Sequence, residues 1–212
     1  MGIMAGKLIL ARHHESEWNK LGKWTGVTNV GLSPYGFEMS RKMGELIKGV
    51  HIDQAFASEQ KRSFQTLKCM EEDAGIDVPI IRSAALNERD YGDYTGKDKW
   101  QVKKEVGEEA FEAIRRGWDV PVPHGETLKM VYERAVPYYL ATIVPLVAAG
   151  KDILVVAHGN SLRSLVKYIE NVSDEAIVKL EFPFGGVFIY DIDADGHMVH
   201  KEIRQVESKV NA

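Results

Sequence analysis

Two short apolar runs, each stopping at a histidine, constrain this chain most. "KLILA" (Lys7 to Ala11) leads into Arg12, His13 and His14, and "DILVVA" (Asp152 to Ala157) leads into His158, Gly159 and Asn160. Short unbroken apolar runs without polar alternation predict parallel strands covered on both faces. Parallel neighbours need crossover connections, and helix signals lie between the runs. Ser33 before Pro34 is a cap and first-turn pair for a helix through Phe37, Met43, Leu46 and Ile47. A second helix is expected from about Lys61 to Ala74, closed by Gly75. Strands fit Gln54 to Ala57 and Val78 to Arg82, and Thr127 to Ala149 predicts a long helix bent or divided at Pro137 and Pro145. Near the end, Val187 to Asp191 and His197 to Ile203 flank "DADG", a hairpin turn signal. The expected fold is three-layer α/β: a mostly parallel central sheet with one antiparallel edge and helices on both faces. The polar stretch from Asn87 to Glu126 predicts a helical cap, about 87–126, within one domain spanning 1–212.

Composition narrows the class. The 212 residues are 44% hydrophobic and 27% charged, which argues against disordered, collagen-like and membrane proteins. No apolar stretch approaches the ~18 residues of a spanning helix. "MGIMAGKLIL" has neither a basic leader nor a cleavage-type end, so no signal peptide and a cytoplasmic location are expected. One cysteine, Cys69, excludes an internal disulfide framework and a multi-cysteine zinc site. A net charge of −4 argues against a nucleic-acid partner.

Open α/β sheets bind ligands beyond the carboxyl ends of their strands. The two histidine turns therefore can face one crevice; either alone reads more readily as a structural or surface histidine, and their matched placement reverses that. A metal site is not expected: "HHESEW" does not complete a His-Glu-x-x-His pattern, and no Cys-x-x-Cys exists. No P-loop or Gly-x-Gly-x-x-Gly fingerprint is present, so phosphate binding must come from side-chain cations. Arg62, Arg89, Lys99, Arg115 and Arg116 are the available ones, each of which solvated surface charge also explains. Arg62 is better placed, just after the Gln54 strand, to pair bidentately with a phosphate beside Arg12. Glu88, next to Arg89, is either a surface carboxylate or a general acid and base lining the crevice.

At these residues the chain resembles a known family. "RHHESEWN" resembles the Arg-His-Gly-x-Ser-x-x-Asn signature of the histidine phosphatase superfamily. "LNERDYG", "RR" followed by "DVPVP", "ETL", and "VVAHGNSLRSLVKY" are similar, in order, to blocks of the cofactor-dependent phosphoglycerate mutases. The resemblance implies a phosphohistidine on His13, primed by 2,3-bisphosphoglycerate, that interconverts 3- and 2-phosphoglycerate in glycolysis and gluconeogenesis without a metal. Arg12, Arg62 and His158 would hold phosphoryl oxygens, and Glu88 would move the proton. Ser16, Asn19, Thr25, Gly26, Arg89, Tyr91, Lys99, Arg115, Arg116, Gly159 and Asn160 match ligand-binding positions. The implied partners are small phosphoglycerates, with no nucleic acid or membrane, and a monomer or homodimer.

The chain departs from the family pattern in places. His14 stands where the signature has glycine, and is expected to face away from the phosphate as packing or a hydrogen-bonding support. Thr25-Gly26 lacks the usual following tryptophan, Asp90 replaces a residue that is often His, the "DVPVP" to "ETLK" segment is short, and "EFPFGG" replaces a common Pro-Thr-Gly. A phosphatase, in which water takes the phosphoryl group from His13, is the alternative enzyme. An inactive scaffold or binding module is the alternative of a different class, and loss of His13, Arg62, Glu88 or His158 would mark it; all four are present.

Overall fold

The computed structural model describes residues 4–209. Its six strands are β1 (Met4–Arg12), β2 (Gln54–Ser58), β3 (Ile80–Ser83), β4 (Ile153–Ala157), β5 (Gly186–Asp193) and β6 (Met198–Gln205). The helices are α1 (Glu17–Lys20), α2 (Pro34–Leu46), α3 (Lys61–Ala74), α4 (Lys99–Val106), α5 (Glu108–Arg116), α6 (Leu128–Tyr138), α7 (Val144–Ala148) and α8 (Gly159–Ile169). The sheet runs β3-β2-β4-β1-β5-β6; β1, β4, β2 and β3 are parallel neighbours, and β5 reverses direction between β1 and β6. This is the expected α/β sheet with its antiparallel edge.

Side-chain alternation along the strands builds two cores. Leu8, Leu10, Phe56 and Val155 face α6, α7 and α8, packing on Val136, Tyr139, Leu162 and Leu165. Ile9, Ala11, Ala55, Leu154 and Val156 face the opposite layer, with Met43 and Ile47 at α2 and Leu67 and Met70 of α3. The central strands thus read as unbroken apolar runs because both faces are dry.

The helices follow their local signals. The Ser33 side chain accepts from the Gly36 amide to start α2, and Gly75 closes α3 at φ 70. Phe37 is only partly buried, and the packed face of α2 instead carries Gly36, Met39, Ser40, Met43 and Gly44. The glycines let that helix sit on backbone: a Cβ at Gly36 would lie 2.0 Å from the Glu15 carbonyl oxygen. From Thr127 to Ala149 the helix is widened rather than broken. Pro145 cannot donate to the carbonyl four residues back, and one π-helical turn, Tyr139–Ile143, absorbs the defect between α6 and α7.

Between β3 and α6, α4 and α5 form a third packed unit, with Val102, Phe111, Ile114 and Val122 around Trp24. This is the segment expected as a cap. Among the described residues no helix is long and apolar enough to cross a membrane.

Candidate active site

Register brings the two histidines together. Arg12 of β1 pairs with Ala157 of β4, so both strands end level, and the His13 amide donates to the Ala157 carbonyl at 2.9 Å. The His13 and His158 rings then lie 4.8 Å apart. Ser58, at the end of β2, bonds His158 Nε2 at 2.7 Å. Three strand ends therefore converge on one point.

Two one-way partners fix the state of His13. The His14 carbonyl, 2.6 Å from Nδ1, can only accept, so Nδ1 carries the proton. Arg62 Nε, 3.3 Å from Nε2, can only donate, so Nε2 carries the lone pair. Burial, then Arg62 and Arg12, hold the imidazole well below its usual pKa. His13 is thus a neutral base with its nucleophilic nitrogen turned toward a guanidinium. His158 is held neutral by the same causes, burial first.

The arginines are fixed by the chain. Arg62 donates NH1 to the Thr28 carbonyl and NH2 to the Gly26 carbonyl. Arg12 donates NH1 to the Phe182 carbonyl at 2.7 Å. Burial pushes both down to about 10, so both stay charged at neutral pH. The Glu88 Oε1 accepts from the Arg89 amide at 2.8 Å and from the Asn160 amide in the first turn of α8 at 3.2 Å. Oε2 makes no hydrogen bond among the described residues.

One crevice collects these groups. Arg12, His13, Arg62, Glu88 and Gly159 line it, together with Asn19, Thr25, Gly26, Tyr91 and Asn160. Lys99, Arg115 and Arg116, from α4 and α5, line it from the cap. With Arg163, six cationic side chains stand against two carboxylates, Glu88 and Glu181. Burial, then Arg115 and Arg12, lowers Lys99 to about 8. Arg116 is paired with Glu112 at 2.8 Å and Glu181 at 2.5 Å, and Arg115 with Glu112 at 3.1 Å.

Three expected residues do not line the crevice. His158 is fully buried behind His13. Ser16 caps α1: its N–H donates to Asn19 Oδ1 at 3.1 Å, which orients that amide and leaves Nδ2 without a hydrogen bond among the described residues. Arg89 is buried, donating to the carbonyls of Glu126, Ile114 and Val120, because its side chain turns back to tie the cap to the sheet. All three therefore stand behind the crevice lining rather than on it.

Several residues were missed. Gln60 accepts from the Glu88 amide at 2.8 Å and donates to the Gly26 carbonyl at 3.0 Å. Arg163 donates to Asn160 Oδ1 and to the carbonyls of Arg116, Ile177 and Leu180, so Asn160 Nδ2 must face the Tyr91 hydroxyl, 2.8 Å away. Arg134 holds the carbonyls of Ala85, Asn87 and Glu88. Gln60 stands just before α3, Arg134 is half-buried on α6 and Arg163 is buried on α8, so their roles arise only where the segments meet. The one group of possible cation ligands among the described residues, Asp193, Asp195 and His197, sits in the β5–β6 turn and does not line the crevice.

A neutral histidine at converging parallel strand ends, facing a cationic crevice, defines a phosphoryl-transfer class of α/β protein. The chain belongs to the histidine phosphatase superfamily, whose branch 1 model matches residues 8–203. It is 41% identical over 203 residues to a 2,3-bisphosphoglycerate-dependent phosphoglycerate mutase of Parvibaculum lavamentivorans, covering 94% of this chain and 97% of that one. It is also 41% identical over 199 residues to a phosphoglycerate mutase of Schizosaccharomyces pombe, covering 92% and 94%. Among solved structures, the Bacillus stearothermophilus protein YhfR superposes with a TM-score of 0.80 at 22% identity, covering 98% of this chain and 100% of that one. A mycobacterial glucosyl-3-phosphoglycerate phosphatase superposes at 0.76 with 18% identity, covering 94% and 97%, which speaks for the fold alone.

Proposed function

We propose that this protein is a 2,3-bisphosphoglycerate-dependent phosphoglycerate mutase, interconverting 3- and 2-phosphoglycerate through a phosphohistidine on His13. The observation that carries the reading is the fixed lone pair on His13 Nε2 at the floor of a crevice with a separate cationic end. A phosphatase needs only the floor; Lys99, Arg115 and Arg116 suit a ligand with a second anionic group. The six cations suit 2,3-bisphosphoglycerate, which has a carboxylate and two phosphates and, when bound, supplies the priming phosphoryl group.

The chain's own groups do the rest. In-line phosphoryl transfer needs positioning and charge stabilisation more than covalent help. Arg12 and Arg62, with the amino end of α8, hold the phosphoryl oxygens. The His14 carbonyl on Nδ1–H stabilises the positive charge that the imidazole gains on phosphorylation. Transfer to the acceptor hydroxyl breaks the Nε2–P bond, forms a P–O bond and returns the electron pair to Nε2, while Glu88 Oε2 takes the hydroxyl proton. When the other phosphate returns to Nε2, its P–O bond breaks and Glu88 gives the proton to the freed oxygen. Ser16 orients Asn19, and Arg89 holds the cap against the sheet over the reacting groups. His158 packs against the nucleophile. We place the enzyme in the cytoplasm with small phosphoglycerates as its partners and no requirement for a metal.

The test is a coupled assay on 3-phosphoglycerate, with and without 2,3-bisphosphoglycerate, run beside a phosphate-release assay. Isomerisation that needs the bisphosphate and outpaces phosphate release is expected. Phosphate release without isomerisation would establish the phosphatase instead.

A further inference from the structure

Arg12 is a half-buried cation with no carboxylate partner among the salt bridges of the described residues, and its buried Nε has no hydrogen-bond acceptor among them. The Phe182 carbonyl takes one N–H, so the rest of the guanidinium must be held another way. Two groups lie close against it. The Phe184 ring lies on one side, with Cζ 3.7 Å from its centroid. The backbone of Gly159 also lies close, where a Cβ would sit 3.3 Å from Cζ. A desolvated guanidinium over an aromatic face is where a cation–π contact is strongest.

Phe184 is in turn held by the residue that the resemblance leaves unexplained. The His14 ring is fully buried, 5.7 Å from Phe184 and 5.5 Å from Tyr35. Its Nδ1 accepts from the Glu15 amide, so Nε2 carries a proton, and that N–H has no hydrogen-bond partner among the described residues. The imidazole therefore works as packing and not as a polar group of the site. Two of the departures from the family pattern, His14 for glycine and "EFPFGG" for Pro-Thr-Gly, meet at this contact.

We propose that Phe184 is a positioning residue that sets the Arg12 guanidinium over the phosphoryl site, and that His14 backs its ring, the two acting as one unit. The inference rests on Arg12 and His13 forming an oxyanion-binding, phosphoryl-accepting floor; it does not need the substrate to be a phosphoglycerate. Phe184→Leu keeps an apolar side chain of similar bulk and removes the π face; Phe184→Tyr keeps the face.

Inorganic vanadate, a stand-in for the phosphoryl group in transfer, is the probe, titrated against the intrinsic fluorescence of the four tryptophans, of which Trp24 lines the crevice. Phe184→Leu is expected to weaken vanadate binding about tenfold and to slow phosphohistidine formation by a similar factor. Phe184→Tyr should stay within about threefold of the parent, with both variants melting near the parent temperature. Adding Phe184→Leu to Arg12→Gln should weaken vanadate binding no further, since the ring then has no cation to place. His14→Gly should weaken binding in the parent and not in Phe184→Leu. Parent-like vanadate affinity in Phe184→Leu, equal losses in the Tyr and Leu variants, or effects of Arg12→Gln and Phe184→Leu that multiply would each overturn the inference. A protein that binds vanadate with this pattern yet isomerises nothing would sink the mutase reading and leave the inference intact.

Discussion

At the residue scale, the site is controlled by which groups are denied a proton. His13 stays neutral because burial and two guanidinium groups oppose a further positive charge, so its lone pair is available across the neutral range. Lys99 is the group poised to titrate. Held at about 8, it loses its charge above that pH, so the KM for an anionic substrate should rise between about pH 8 and 9.5 while kcat changes less. A flat KM over that window contradicts its place in the grip. Gln60 gives a second expectation. Replacing it by Leu strips the acceptor from the buried Glu88 amide, a loss of about 1–3 kcal/mol. Turnover should fall several-fold with substrate affinity nearly kept; unchanged kcat would remove Gln60 from the account. These examples divide what the sequence discloses. His13, Arg12, Arg62 and Glu88 were legible because chemistry restricts the residue types around a phosphoryl group. Gln60, Arg163 and Phe184 were not, because their roles arise only when distant segments meet.

At the element scale, strands and caps followed local chemistry closely. The expected helix from Lys61 to Ala74 forms with those ends, because Gly75 supplies the left-handed stop. Strand limits moved by a few residues, β1 extending back to Met4, since pairing with β5 and not apolarity decides where a strand begins. Arg89 was misplaced because sequence adjacency to Glu88 says nothing about where a long side chain turns. The packing of α2 shows another limit of sequence pattern: Met43 and Ile47 enter the core as apolar residues do, but its glycines matter by what they let approach. Gly36→Ala tests that directly. With 2.0 Å between the added Cβ and the Glu15 oxygen, α2 or the loop carrying His14 must shift, at a cost of about 1–3 kcal/mol. Urea unfolding should show the loss and phosphohistidine formation should slow with it; parent stability would mean that α2 does not brace this loop.

At the scale of the whole molecule, strand order makes one site from four segments. Placing β4 between β2 and β1 sets Ser58, His158 and His13 side by side, while the cap contributes the second cationic end. The order itself was not legible, since apolar runs identify strands but not their neighbours. Burying three imidazoles has a global consequence. His13, His14 and His158 all have folded pKa values below the ~6.5 of an unfolded histidine. Between those values the unfolded chain binds more protons, so stability is complete above about 6.5 and falls as the pH drops. For His14, lowered to about 4, the loss by pH 4 is about 3 kcal/mol. Urea midpoints should therefore decline from pH 7 to pH 5, before carboxylates titrate, and a constant midpoint would contradict neutral burial. The central claim is tested most directly by isolating the phosphoenzyme formed with 2,3-bisphosphoglycerate and locating the phosphoryl group by fragmentation and phosphorus NMR. We expect an acid-labile phosphoramidate on Nε2 of His13; a phosphoryl group on Nδ1, on His14 or on His158 would contradict the account.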